Sequence, residues 1–188
     1  MSTQLRIDRS ATTQVVRASA APLLTKIEVG GAVAGLVGGV TMAVVGAILA
    51  IAMGADLWKA PKLIATFVLG LSATAGAGFV ALPVIIGSLI HLALSALFGV
   101  LYGVLSCRVW KMPLDYGAPV VFGFVYGLAI WLIAYFVVLP VVNPLLLEIY
   151  APSFLIQNMV YGMILGMTYA AFRSAPYIHF ETRSPAKA

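Results

Sequence analysis

The chain has 188 residues, 62% hydrophobic and only 9% charged, with a formal net charge of +5. Soluble domains carry roughly 25% charged residues, so a chain this apolar lacks the polar surface to stay dissolved, and lipid must be its solvent over most of its length. Its basic residues stand singly at the ends of apolar runs, where topology signals sit, which excludes a nucleic-acid-binding patch.

Residues 1–28 are polar, rich in Ser, Thr and Arg, and read as an N-terminal tail. They show no early apolar core leading to a cleavage site, as a secretory signal would. A likeness to a mitochondrial transit peptide is interrupted by Asp8 and Glu28. A single transmembrane domain follows over 29–173, and a second short tail over 174–188.

A helix needs about 20 apolar residues to cross a bilayer, because its backbone must satisfy its own hydrogen bonds there. Four runs qualify: residues 31–53, 84–106, 119–139 and 154–172. The third opens on Pro119, a residue favoured in a first helical turn, and is expected to stop at Pro140. A fifth stretch, 63–82, is apolar, but its centre is built from Gly70, Ser72, Ala73, Thr74, Gly76 and Gly78. Charge decides its status. With four spans and the N-terminus inside, Arg6, Arg9, Arg17, Lys26, Arg108, Lys111, Arg173, Arg183 and Lys187 are internal, and only Lys59 and Lys62 external. A fifth span would reverse that balance against the positive-inside rule. The fold class is therefore all-α: four transmembrane helices, both termini inside, and 63–82 as an interfacial or re-entrant insertion on the outer side. Trp58 and Tyr150 fall at the outer interface, and Tyr102, Trp110, Tyr116 and Tyr169 at the inner one.

An internal repeat is expected. His91, Gly99 and Tyr102 align with Asn158, Gly166 and Tyr169, and Gly35 and Gly39 align with Gly123 and Gly127. The spacing between the two blocks differs by 21 positions, about the length of the 63–82 insertion. Two hairpins in tandem, both starting inside, make a parallel repeat.

Small residues recur every fourth position at Gly31, Gly35, Gly39, Ala43 and Ala47, and at Gly87, Ser95 and Gly99 with His91 in the same row. Gly123 and Gly127, and Gly162 and Gly166, repeat the spacing. Such rows let helix backbones approach closely, so these are helix-packing residues. His91 is the one strongly polar ionisable side chain in a predicted span, and such groups are costly and often functional. A neutral imidazole there could bind a cofactor, or form a polar pair with Asn158. His179, the other histidine, lies on the opposite side, which excludes a bis-histidine haem within one chain. Asp56 and Lys59 flank Trp58 as a candidate interfacial pair, and Glu148 reads as a solvated charge. Cys107 alone allows no intrachain disulfide, and with two histidines it cannot complete a four-ligand zinc site. Paired carboxylates, phosphate loops and nucleophile triads are missing, so no enzyme and no resident cofactor is expected.

The pattern His91-x7-Gly99-x2-Tyr102, after a Gly-rich first helix and a Trp-containing loop, resembles small uncharacterised inner-membrane proteins of bacteria. The resemblance covers residues 30–173 and implies a multi-pass protein of the bacterial cytoplasmic membrane, with no activity attached. A second histidine would be expected in the second copy, where this chain has Asn158. Three functions remain: a non-catalytic subunit of a larger membrane complex, such as a respiratory or electron-transfer assembly, in contact with lipid and other subunits; a small transporter or channel; and a haem- or quinone-binding anchor built on His91.

Overall fold

The computed structural model describes residues 20–110 and 117–172. Most of both tails, with His179, and the 111–116 loop, with Tyr116, lie outside the described residues. The elements are α1 (Ala20–Ala52), α2 (Lys59–Leu69), a 3-10 turn (Gly70–Thr74), α3 (Ala81–Val104) continuing into a π turn (Leu105–Val109), and α4 (Gly117–Ile133). A π turn (Ala134–Val138), α5 (Leu139–Val142), a 3-10 turn (Pro144–Glu148) and α6 (Ala151–Phe172) complete the order. The described residues contain no strand, and four helices are long and apolar enough to cross a membrane: Ile27–Ala52, Ala81–Val109, Gly117–Val142 and Ala151–Phe172. The protein is an all-α polytopic membrane protein. At 11 residues, α2 is about 16 Å long, half the roughly 30 Å of hydrocarbon, so the insertion does not cross.

Among the boundaries that differ from the sequence expectation, three have a clear physical reason. First, α1 begins at Ala20 rather than near Gly31: hydropathy marks where lipid starts, but Lys26 and Glu28 are good helix formers and do not stop a helix that has left the bilayer. Second, the helix does not end at Pro140. Proline cannot donate to the preceding turn and its ring crowds the carbonyl there. The π turn over Ala134–Val138 widens the backbone just ahead of it, a local adjustment that transmembrane helices tolerate. Third, α6 starts three residues early, at Ala151, with Pro152 in its first turn, where its missing N–H is no loss.

The closest helix pairs are α1 with α3, α4 with α6, and α1 with α6, all antiparallel. Of the four spans, α6 is the most enclosed. Backbones of α3 and α4 stay further apart, and side chains bridge them. At one end Tyr102 and Tyr126 fill the gap. At the other, α2 lies against α3 and α5: Leu63 clusters with Leu139 and Leu146, and Pro61 abuts Gly87 of α3. The 53–80 segment and the 143–150 loop thus cover one end of the bundle, and Trp110, Gly117 and the described ends of the chain lie at the other.

Outward-facing positions are apolar along the spans. Val33, Val37, Val40, Val44 and Ile48 are exposed on α1, and Val121, Phe124, Val125 and Leu132 on α4. In water, a surface of this kind would aggregate; surrounded by acyl chains it is the expected exterior.

Candidate functional site

The glycine rows set the geometry of the interior. On α1, Gly31 and Gly35 lie directly on Gly99, and Gly35 also meets the Ser95 carbonyl, while Gly39 faces the Ser95 side chain. On α4, Gly123 meets Gly162 and Gly166, and Gly127 meets Asn158 and Gly162. A Cβ at Gly31 would stand 2.6 Å from the Gly99 carbonyl oxygen, well inside van der Waals contact, so glycine is a steric requirement there. The row ends at Gly39, because Ala43 is exposed. Gly87 is also a packing glycine, but its neighbour is Pro61 of α2, not α1.

His91 is half-buried, ten residues into α3, about 15 Å along the helix axis at 1.5 Å per residue. Its Nε2 lies 3.0 Å from the Gly39 carbonyl oxygen. A carbonyl only accepts, so Nε2–H donates, and a neutral ring then carries its lone pair on Nδ1. The expected pairing with Asn158 is not made. Asn158 donates instead to the Phe154 carbonyl of its own helix, 2.8 Å away. Because α1 is pressed against α3 at Gly39, a carbonyl comes within reach of the imidazole, while the asparagine finds its acceptor one turn back. His91→Gln preserves a donor toward Gly39, and interhelical hydrogen bonds in membranes average about 0.6 kcal/mol. Its thermal midpoint in detergent should therefore stay close to wild type. A Soret band in the purified protein that disappears in this variant would instead assign His91 to haem.

Tyrosines occupy the centre, a feature the sequence reading missed. Tyr102 and Tyr169, expected at the inner interface, are buried in the core with Tyr126, Tyr161, Leu165 and Ala34. Tyr161 donates to the Ser95 carbonyl at 2.7 Å, Tyr126 to that of Phe98 at 2.9 Å, Tyr169 to that of Gly103 at 3.3 Å, and Tyr102 to that of Pro119. The Cys107 sulfur lies 3.0 Å from the Tyr169 hydroxyl. A buried tyrosine needs a partner for its hydroxyl, and helix carbonyls of neighbouring spans supply one each time. The legible signal was spacing: Tyr102 and Tyr169 continue the Ser95–Gly99 and Gly162–Gly166 rows on the same helix faces. Trp110, by contrast, is partly exposed and stacks on Phe122. Among the described residues, the buried Ser106 Oγ and Trp131 Nε1 lack hydrogen-bond partners, one within a π turn and the other just before one.

A second polar cluster caps the opposite end. The expected Asp56–Lys59 pair is replaced by two others. Lys62 Nζ lies 2.9 Å from Asp56 Oδ2, and Lys59 Nζ 3.0 Å from Glu148 Oε2. Because α2 begins at Lys59, Lys62 falls one turn in and turns toward Asp56, while Lys59 projects to the neighbouring loop. Glu148 is thus an exposed but paired charge. The Lys62 side chain is only 6% exposed and also donates to the carbonyls of Gly76 and Gly78, at 3.1 and 3.0 Å. Both glycines have positive φ, 82° and 68°, which turns their carbonyls onto the ammonium at little steric cost. Asn143 donates to Thr66 Oγ1 at 2.7 Å, tying α5 to α2. A cleft of about 290 Å³ lies among Asp56, Lys59, Lys62, Thr74 and Glu148. The Asp56 carboxyl is held below the ordinary aspartate range by the Trp58 backbone N–H, then by Lys62. Among the described residues, no three His, Cys, Asp or Glu side chains converge as a metal site would require.

Comparison of the chain with protein-family models, with curated proteins and with solved structures finds no match.

Proposed function

We propose that this chain is a non-catalytic structural subunit of a larger membrane complex. One observation carries the reading. Seven polar side chains on the facing sides of the spans, His91, Ser95, Tyr102, Tyr126, Asn158, Tyr161 and Tyr169, all bond backbone carbonyls. Five of these bonds cross between helices and hold them together, while those of Ser95 and Asn158 close within their own helix; groups engaged this way are not poised to bind or transform a solute. Gentle detergent extraction followed by native mass analysis tests it. The chain should run in an assembly with other membrane proteins; recovery only as a monomer or homo-oligomer would argue against the proposal.

The small-transporter reading comes second, favoured by the charged cleft of about 290 Å³ at one end. Below that cleft the axis is filled by tyrosines, so transport requires them to move. In the cofactor reading, a haem at His91 Nε2 would have to displace the Gly39 carbonyl, which leaves Nδ1 as the ring nitrogen that could ligate.

We also propose that both termini are cytoplasmic in a bacterial inner membrane, as the resemblance to small bacterial membrane proteins implies. Pairing supports the orientation. At the end covered by 53–80 and 143–150, Lys59 and Lys62 are each matched by a carboxylate, so the described charges there cancel. The excess of basic residues in the sequence falls in the two tails and between the second and third spans, the segments that the positive-inside rule assigns to the cytoplasm. A reporter fused after Ala188 should behave as cytoplasmic and one inserted at Pro144 as external; the reverse pattern would invert the topology.

The two hairpins, α1–α3 and α4–α6, read as a parallel repeat. Support comes from matching contacts: Gly35 meets Ser95 and Gly99, and Gly123 meets Gly162 and Gly166, pairs that the sequence alignment makes equivalent. Symmetry breaks where Gly38, lying on Tyr161, aligns with Tyr126. A glycine lets α1 close on α6, whereas a tyrosine holds α4 away from α3.

A further inference from the structure

We propose that residues 67–82 form a collar that dips into the bilayer at the outer end of the bundle, with Phe67, Val68, Leu71, Phe79 and Leu82 among acyl chains and Lys62 as the internal tether that keeps the loop there. Four observations converge. The segment contains no charged residue. Those five side chains are exposed, Leu71 by 71%, which is costly for a loop facing water, since large apolar side chains are stabilised by leaving it. Their surface runs on into the lipid-facing side of α3, at Ile85 and Leu89. Lastly, the segment's polar groups are served from within, as backbone at membrane depth must be. Ser72 bonds the Leu69 carbonyl at 2.7 Å and Thr74 that of Leu71 at 2.8 Å. Lys62 takes the carbonyls of Gly76 and Gly78, while Asp56 neutralises its charge. With the local charges cancelled, the collar contacts acyl chains and not anionic headgroups. The inference is independent of the subunit assignment.

The test uses the full chain in phosphatidylcholine vesicles, with Cys107→Ser as background and an environment-sensitive fluorophore on Leu71→Cys or Phe79→Cys. Ile85→Cys serves as the lipid reference and Glu148→Cys as the aqueous one. Probes at 71 and 79 should be quenched by lipid nitroxides placed near the headgroup more than by those deep in the chain, and several-fold less by iodide than the probe at 148. Iodide quenching equal to that at 148 would overturn the collar, and so would protection from both quenchers, which would mean a protein partner covers it. Adding anionic lipid should leave the readings unchanged; a strong dependence on it would overturn the acyl-chain assignment. Lys62→Met strips the two glycine carbonyls of their donor. Probes at 71 and 79 should then become iodide-accessible while that at 85 stays in lipid; no change would remove the tether from the proposal. If Lys62→Met does not fold, the depth reading on the parent background still decides the collar, and Lys62→Ala, which also removes the donor, decides the tether by the same shift.

Discussion

Gly35→Ala should destabilise the bundle by about 1–3 kcal/mol, the range for overpacking a well-filled interior, and Gly35→Leu by more. The added Cβ would collide with the Ser95 carbonyl oxygen and stand 2.9 Å from the Gly99 Cα. Both are backbone atoms of a helix that α2 and α6 hold from other sides, so no rotamer change relieves the contact. Gly39→Ala should cost about as much, since its new Cβ would stand 2.6 Å from the Ser95 Cβ, an atom that rotation of the hydroxyl does not move. Gly30→Ala, with its nearest neighbour the Phe172 Cβ at 3.9 Å, should be neutral or slightly stabilising, because alanine is the better helix former. Thermal midpoints in one detergent would rank the three. Equal midpoints would refute close backbone contact at Gly35. Gly162→Ala, which brings a Cβ onto the Gly123 carbonyl and 2.8 Å from the Gly127 nitrogen, should match Gly35→Ala in the other hairpin.

What the sequence made legible was what lipid imposes. Four spans follow from apolar runs long enough to cross, and the glycine rows follow from period-four spacing, since both are one-dimensional signals. The insertion, too, was excluded as a span by charge alone. Pair identities were harder. His91 and Asn158 align in the repeat, yet each finds a carbonyl on α1 or on its own helix, because a bare helix offers acceptors that no side-chain pattern announces. Tyr102 and Tyr169 looked like interfacial anchors because tyrosine is common at both interfaces and cores. Only the packing of α3 against α4 and α6 decides between these. Lys62 was counted as an external charge, and its burial depends on two glycines fourteen and sixteen residues later adopting positive φ. Pro140 shows the converse: a local stop signal overruled by a π turn that lets the helix run on.

Breaking the Asp56–Lys62 pair should be the largest change available outside the spans. Removing one member of a buried pair commonly costs 3–5 kcal/mol. Here Asp56 is 34% exposed, and the ammonium keeps two carbonyls, so Asp56→Asn is expected to cost about 1.5–3 kcal/mol, the range for hydrogen bonds to a charged group. Combined with Lys62→Met, the double variant should lose less than the sum of the singles by about 0.5–3 kcal/mol, the coupling usual for residues in contact. Strict additivity would mean that the two charges do not sense one another. The pH dependence has a definite sign. The folded carboxyl titrates below its ordinary value, so the unfolded chain binds the proton more readily. The stabilisation is therefore complete above the unfolded value of about 3.9 and is lost as pH falls from there through the lowered folded value. Glu148, paired with Lys59 and not with Lys62, is removed as a contributor by Glu148→Gln. In that background, the chain that keeps Asp56 should lose more stability between pH 5 and about pH 3 than the one that also carries Asp56→Asn, measured as detergent midpoints. Parallel curves for the two proteins would show that Asp56 is not the titrating group, and that the 70–80 loop is held by the Lys62–carbonyl contacts without help from its charge partner.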